Sequence, residues 1–409
     1  MLKLTLLIRK TTEVKILLVN HFPLTGSGSG VYTANIANSL VKLGHEVHAI
    51  FPDNHLSNEK FAFKTTPVYF TGDSSEKIQN ALDFNIPCFT THPRSTFTFE
   101  EMTPSQIEQY TSAFREVISK EIETFKPDVL HCGHIWILAS ICTEFALPTT
   151  ITSHGTDLMG IQSGSKFLNF ALEAAEKSSA IVAISKGNLK LLEESLPQFK
   201  DKFCLITNGY NPDVFYPEKI SKEQVLRNFG IDKKYDKIVS FAGKFANFKG
   251  VDTLLQANKL YDRNDTATIL AGDGDLFDEM TDLKQKLALQ NTFFIHNQPH
   301  NKLRELYSVA DVSLVPSRNE PFGLVAIEAG ACGAPIIASK SGGLLDIVAN
   351  TTGMFFEQDN EKELAECVEK ILSGDVAFDR ETIAKTTYSY FSQDKFTKKL
   401  VDEVYKTQI

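Results

Sequence analysis

A cationic surplus is what this sequence most clearly lacks. Its 409 residues carry 42 Lys and Arg against 51 Asp and Glu, a net charge of −9. No basic region hides inside that total: residues 1–210 hold 18 against 21, and the remainder 24 against 30. Neutralising a phosphate backbone needs clustered Lys and Arg, so the charge argues against nucleic acid as a partner. It gives no sign of docking on anionic lipid either. Cysteine is scarce as well. The six, at Cys88, Cys132, Cys142, Cys204, Cys332 and Cys367, form no Cys-x-x-Cys pair, which leaves zinc and dithiol chemistry without a motif. Scattered in this way they read as reduced, buried small hydrophobes of a cytosolic protein. Long apolar runs are missing too. The uncharged run Ile135–Thr143 falls far below the ~18 residues of a membrane span. The N-terminal Met1–Lys10 run is short and has no small-residue cleavage site, so no secretory leader is expected and a cytoplasmic location is. No repeat of 20–50 residues is visible.

What is present is an alternation of short β-branched runs and amphipathic helical spacings. Lys15–Asn20 predicts a buried strand, followed by a Gly/Ser loop at Gly26–Gly30 and then by Ile36, Ala37, Leu40 and Val41 at helical spacing, stopped by Gly44. Further strands are predicted at 46–51, 128–131, 149–153, 180–184 and 203–206. Ser185 caps the helix after the fifth of these six. A turn-rich stretch, Asn208–Pro217, reads as a linker. A second series then runs through 238–242, 267–271, 292–295, 312–315 and 335–338, and Asn360 with Glu363 forms a capping box for a helix reaching Leu372. Strands separated by helices mean parallel sheets covered on both faces. The expectation is an α/β protein of two doubly wound Rossmann-like domains facing a central cleft, 1–210 and 217–392, with a C-terminal helix over 393–409. Residues 56–104 break the alternation and are expected to form an irregular insertion with hairpins.

The glycine loop opens the first helix, where backbone N–H groups and a helix N-terminus can meet a phosphate; Gly28 and Gly30 are the candidates. Asp53 stands at about the distance at which a dinucleotide site holds its ribose. However, Val31 occupies the place of the third glycine or alanine, which disfavours a nicotinamide cofactor.

The most informative stretch is Ser317-Arg-Asn-Glu320-Pro-Phe-Gly323-Leu-Val-Ala-Ile-Glu328. Its Glu-x7-Glu with Phe-Gly between resembles glycosyltransferase family 4, the retaining nucleotide-sugar transferases of GT-B architecture. Other blocks resemble that family in order: His154-Gly-Thr-Asp157, Ala183-Ile-Ser-Lys186, Asn208-Gly-Tyr-Asn with Phe215, Gly243-Lys-Phe with Lys249-Gly, and Gly272-Asp-Gly274. Asp128-Val-Leu-His131 with His134 is a looser match, its spacing changed by one. The resemblance spans residues 14 to 400. It implies that Glu320 contacts the donor sugar and Glu328 the ribose hydroxyls. Gly243, Lys244, Lys249 and Gly272 would then serve the diphosphate, and His154 would lie beside the donor sugar, near where the acceptor enters. Lys244 departs from the family's usual Arg: a lysine keeps the charge and loses the two-pronged grip.

If a helix starts near Phe322, eight positions separate the two carboxyls by about 12 Å along it. That is beyond the roughly 5–9.5 Å at which two carboxylates share one glycosidic bond, so two separate tasks are expected. The N–H groups of Phe322, Gly323 and Leu324 would be the free donors of that helix start. The expected reaction moves a hexose-type unit from a nucleotide sugar, a UDP-sugar first, to an acceptor the sequence does not identify. No metal or other cofactor is expected. Asp273-Gly-Asp275 reads as turn chemistry rather than a metal site, and His131 and His134 lack a third ligand. A lipid acceptor would make the protein peripheral on membranes. A nucleotide-sugar epimerase of the same architecture is the alternative. The C-terminal helix, from about Asp394, is expected by resemblance to return to the first domain.

Overall fold

A computed structural model describes residues 13–409 except 27, 57–59, 72–77, 90, 91, 93, 162, 163 and 321, and it leaves the Met159 side chain undescribed. The Met1–Lys10 run, Ser27 of the glycine loop, Pro321 of the Glu-x7-Glu stretch and parts of 56–104 therefore lie outside the described residues. The chain divides into two compact units, Met1–Thr207 with Phe396–Ile409, and Asn208–Lys395.

The first unit is built on a seven-stranded sheet in the order β3-β2-β1-β4-β5-β6-β7. The strands are β1 (Lys15–Val19), β2 (Glu46–Asp53), β3 (Lys64–Tyr69), β4 (Val129–Gly133), β5 (Thr149–Ser153), β6 (Ala180–Ala183) and β7 (Phe203–Leu205). Each neighbouring pair is parallel. Successive side chains of β1 feed opposite cores, as a strand buried on both faces requires. Leu17 and Val19 join Phe114 and Ile118 of the helix Pro104–Phe125. Ile16 and Leu18 join Tyr32 and Ile36 of the helix Gly28–Lys42, together with Phe396, Leu400, Val404 and Tyr405 from the end of the chain. Leu400 is fully buried there, and burial of one such side chain contributes roughly 1.5–3 kcal/mol.

The second unit carries a six-stranded parallel sheet in the order β10-β9-β8-β11-β12-β13. Its strands are β8 (Lys237–Ala242), β9 (Thr266–Ala271), β10 (Thr292–Ile295), β11 (Val312–Val315), β12 (Ile336–Ser339) and β13 (Gly353–Phe356). Separate cores lie on its two faces.

Three expectations need correction. Residues 56–104 do not form hairpin ladders among the described residues. Lys64–Tyr69 instead pairs parallel with β2 and extends the sheet, and one antiparallel bridge closes a turn at His92 and Ser95. The strand Gly353–Phe356 was not anticipated. At Asn360 only half of the capping box forms: the side chain accepts from Glu363 N–H, while the Glu363 carboxylate takes the N–H of Glu357 and Asn360 Nδ2 instead of Asn360 N–H. Ser185 caps its helix as expected, accepting from Asn188 N–H.

Candidate active site

In the second unit the strands that flank the switch point, β8 and β11, end in loops that lock onto each other. Gly250 makes this possible. It sits at φ 64°, and a Cβ on it would stand 2.1 Å from the Pro316 carbonyl oxygen, so only glycine lets the two loops meet. Arg318 then stitches them together, donating to Asp252 at 2.7 Å, Asp359 at 2.7 Å and the Asn247 carbonyl at 2.6 Å, while its N–H donates to the Phe248 carbonyl. The result places Lys249 Nζ 2.6 Å from the Glu320 carboxylate, which also accepts from Ser317 Oγ at 3.0 Å. Both partners are largely buried, with side chains 17% and 8% exposed. The Glu320 carbonyl is held from behind by Gly343 N–H at 2.8 Å. Lys249 has three N–H donors and spends one on Glu320, so it can still turn others toward an anion.

The helix predicted from Phe322 begins at Leu324 and ends at Ala331, with Gly323 at its N-cap in the left-handed region. Glu320 therefore precedes the helix, and the separation computed along a helix axis does not apply to it; only Glu328 is helical. Ala326 and Ile327 donate to the Gly323 carbonyl, and the N–H groups of Phe322, Gly323 and Leu324 donate to no backbone carbonyl among the described residues. They are the free donors of a helix start, a setting that favours negative charge. Glu328 lies on the next turn in surroundings so apolar that burial pushes its carboxyl up to about 8. It has no hydrogen-bond or ion partner among the described residues.

The loops after β8 and β9 are zipped as well. Gly243 N–H donates to Ala271, Phe245 N–H to Asp273 and Leu276 N–H to Phe245. Lys244 is exposed and pairs with Asp275 at 3.0 Å. Asp273 instead holds His296 Nδ1 at 2.5 Å and Asn297 N–H at 2.8 Å, and the His296 contact, followed by that of Asn297, pulls its carboxyl below the usual range. The two aspartates thus serve different partners. Among the described residues no three His, Cys, Asp or Glu gather as a metal site.

Of the residues singled out from the sequence, Gly243, Lys244, Lys249, Gly272, Glu320, Phe322, Gly323, Leu324 and Glu328 belong to the second unit, and Gly28, Gly30 and His154 to the first. Gly28 and Gly30 fall inside the first turn of the helix Gly28–Lys42 rather than in a loop. Asp53 is committed to Arg94 at 2.7 Å and His55 N–H at 3.0 Å, which leaves the nicotinamide reading without its ribose partner. His154 follows β5 in a turn shaped by Asp157, whose carboxylate accepts from Ile135 N–H at 2.9 Å, Gly155 N–H at 2.8 Å and Ser153 Oγ at 3.2 Å. Burial, then the His134 ring, drives His154 down to about 3, so its imidazole is neutral. His131 is a structural tie: Nδ1 meets the Tyr405 hydroxyl and Nε2 the Thr152 hydroxyl at 2.7 Å. Arg318 and His296 were not singled out from the sequence. Arg318 stood inside the quoted stretch, but its partners are remote in sequence, and nothing local marked His296.

The family described as "Glycosyltransferase Family 4" matches residues 26–214, and that described as "Glycosyl transferases group 1" matches residues 222–389. An uncharacterised glycosyltransferase of Methanocaldococcus jannaschii is 32% identical over 308 residues, 69% of this chain and 75% of that one. An N-acetyl-α-D-glucosaminyl L-malate synthase of Bacillus anthracis is 25% identical over 338 residues, 81% and 80% of the two chains. Among solved structures, Anabaena HepE in complex with UDP-glucose shares the fold, with TM-score 0.71 at 16% identity over 96% of this chain and 99% of that one.

Proposed function

The chain belongs to the glycosyltransferases, and from that premise we propose which of its groups carry the transfer of a sugar from a nucleotide sugar to an acceptor. The observation that carries the reading is the buried Lys249–Glu320 pair beside the free N–H groups of the helix Leu324–Ala331, with the unpartnered Glu328 carboxyl one turn on. Lys249, with Lys244, balances the charge of a departing nucleoside diphosphate, and the helix N–H groups add fixed dipoles where that charge develops. Glu320 accepts from sugar hydroxyls and Glu328 from the ribose diol. UDP is the nucleotide assigned, in line with the UDP-glucose complex of HepE, which has the same fold.

The reaction is written as retaining. The bond between the anomeric carbon and the leaving phosphate oxygen breaks, and the acceptor oxygen bonds to that carbon on the same face. The acceptor's proton passes to the leaving phosphate. His154 is neutral and too weak a base at a value near 3 to take that proton, so its part is to orient. The epimerase alternative draws no support from the matches. Among the described residues no helix is long and apolar enough to cross a membrane. Titration calorimetry on the full chain should show UDP binding that Lys249→Met and Glu328→Ala each weaken. A chain that binds no nucleoside diphosphate would sink the assignment.

A further inference from the structure

Lys249 and Glu320 meet from two loops, and neither loop has regular structure of its own to set the meeting. Lys249 ends a single 3₁₀ turn, Asn247–Lys249, after β8, and Glu320 lies between β11 and the helix Leu324–Ala331. A pair made this way keeps its geometry only as well as the two loops hold each other. Arg318 ties them at adjacent points. Its backbone N–H donates to the Phe248 carbonyl at 2.8 Å and its Nη1 to the Asn247 carbonyl at 2.6 Å. Both residues before Lys249 are therefore bonded to a residue two places before Glu320. The rest of the guanidinium is anchored in turn. Nη2 donates to Asp252 at 2.7 Å and to Thr253 Oγ1 at 3.3 Å, both at the start of the helix Val251–Leu260. Nε donates at 2.7 Å to Asp359, which follows β13 and also accepts from Thr253 Oγ1 at 3.2 Å. One side chain thus joins the loops of three strands. The planar fork permits this, because its five N–H groups leave in fixed directions, whereas an ammonium offers three from a single point.

Exposure separates this brace from the stability of the fold. The Arg318 side chain is 20% exposed, that of Asp252 42% and that of Asp359 50%. Ion pairs as open as these contribute little to folding. The fit of Gly250 against the Pro316 carbonyl brings the same two loops together without any charge. What the brace adds is position. A displacement of about 1 Å in a reacting group costs on the order of 10²-fold in rate, even when its cause lies away from the chemistry.

We infer that Arg318, with Asp252 and Asp359, is a positioning brace for the transfer, acting through Lys249 and Glu320, and that its fork matters rather than its charge. The inference rests on the transfer reading above and adds three residues to it. The full chain and its variants are compared for UDP release from UDP-hexoses, with water or an added sugar mixture as acceptor. Calorimetry gives UDP affinity and thermal melting gives stability. Arg318→Lys keeps the charge and loses the fork, and it should lower kcat at least about thirtyfold. Its melting temperature should stay within about 4 °C of the parent, the scale of an exposed ion pair. UDP affinity should stay within about threefold, because the lost placement counts most where charge develops in the transition state. Asp252→Ala and Asp359→Asn should each lower kcat about five- to tenfold alone, and less than about twofold when added to Arg318→Lys, since residues acting as a unit are not additive. A merely structural role would make these losses add and would carry the melting temperature down with them. A smaller loss of kcat in Arg318→Lys overturns the inference. So does a loss that UDP affinity or melting temperature follows in step, or one that adds in full in the double variants. If the unaltered protein releases no UDP from any UDP-hexose, or Lys249→Met keeps full turnover, the transfer reading itself falls and this inference with it.

Discussion

At equivalent places the two sheets present opposite chemistry. Where the second sheet switches direction, the loops carry Lys249 against Glu320, with Arg318 spanning two aspartates behind them. Where the first switches, the loops carry Asn20, His134 and His154, all uncharged and each with a buried polar atom unpaired among the described residues. Both places are made by the same double winding, so the topology supplies a position and the loop residues supply the character. A departing diphosphate needs fixed charge close by, whereas an acceptor hydroxyl needs oriented hydrogen-bond partners and an absence of competing ions.

The strongest way to break the contrast is to remove charge from the second site. Lys249→Met should lower turnover at least a thousandfold. It should also destabilise the second unit by about 3–5 kcal/mol, since Glu320 would be left buried and unpaired. Glu320→Gln keeps a hydrogen-bonding group beside Lys249 and should lower turnover by orders of magnitude with UDP affinity little changed. Steady-state kinetics with calorimetry on the same samples separates the two effects; a Glu320→Gln variant that kept full turnover but lost UDP would reverse the assigned roles.

Next in size is Glu328. Replacement by Ala should weaken UDP by about 0.5–1.5 kcal/mol at neutral pH, the range for a hydrogen bond between neutral groups, because the carboxyl holds its proton there. Its raised pKa adds a pH signature. With the folded value at about 8 against 4.5 for the ordinary carboxyl, the folded chain holds a proton that the unfolded chain has released. Stability therefore falls as pH rises through that window. Glu328→Gln should remove this fall, so its melting temperature relative to the parent should be near unchanged at pH 5 and increasingly higher toward pH 8. A difference that does not grow with pH would mean that Glu328 is not held in an apolar setting.

The same contrast explains what the sequence disclosed. Local patterns placed eleven of the thirteen strands, because a strand buried on both faces announces itself as a β-branched run between turn residues. What escaped depends on partners far along the chain. Lys64–Tyr69 reads as irregular until β2 pairs with it, and Gly353–Phe356 becomes a strand by lying against β12. The helix start shifted from Phe322 to Leu324 because Gly323 takes a left-handed conformation that packs against Leu344 and Ile347, far downstream. In the second site the charged residues were legible as motif. Their mutual pairing, and Arg318 as the residue that holds the two loops, were not. The neutral place was the less legible: Asn20 is unremarkable in sequence and joins His134 and His154 only when β1, β4 and β5 end together.

The smallest effect expected is none at all, on stripping divalent metal. Asp273-Gly-Asp275 has the Asp-x-Asp form that could hold a metal on a diphosphate, and that form is what makes the experiment informative. In the folded chain the pair is divided: Asp273 holds His296 and Asn297, and Asp275 holds Lys244. To bind one ion together, both would have to release these partners, and Lys244 would lose the carboxylate that now balances it. In the transfer proposed above, the charge of a leaving diphosphate would meet Lys249, Lys244 and the N–H groups at the start of the helix Leu324–Ala331, which can supply the stabilisation a metal otherwise would. Turnover measured in excess EDTA should match turnover in magnesium. Activity lost to EDTA and restored by magnesium or manganese would bring Asp273 and Asp275 into the donor site, and would weaken the case that the second unit's own cations suffice.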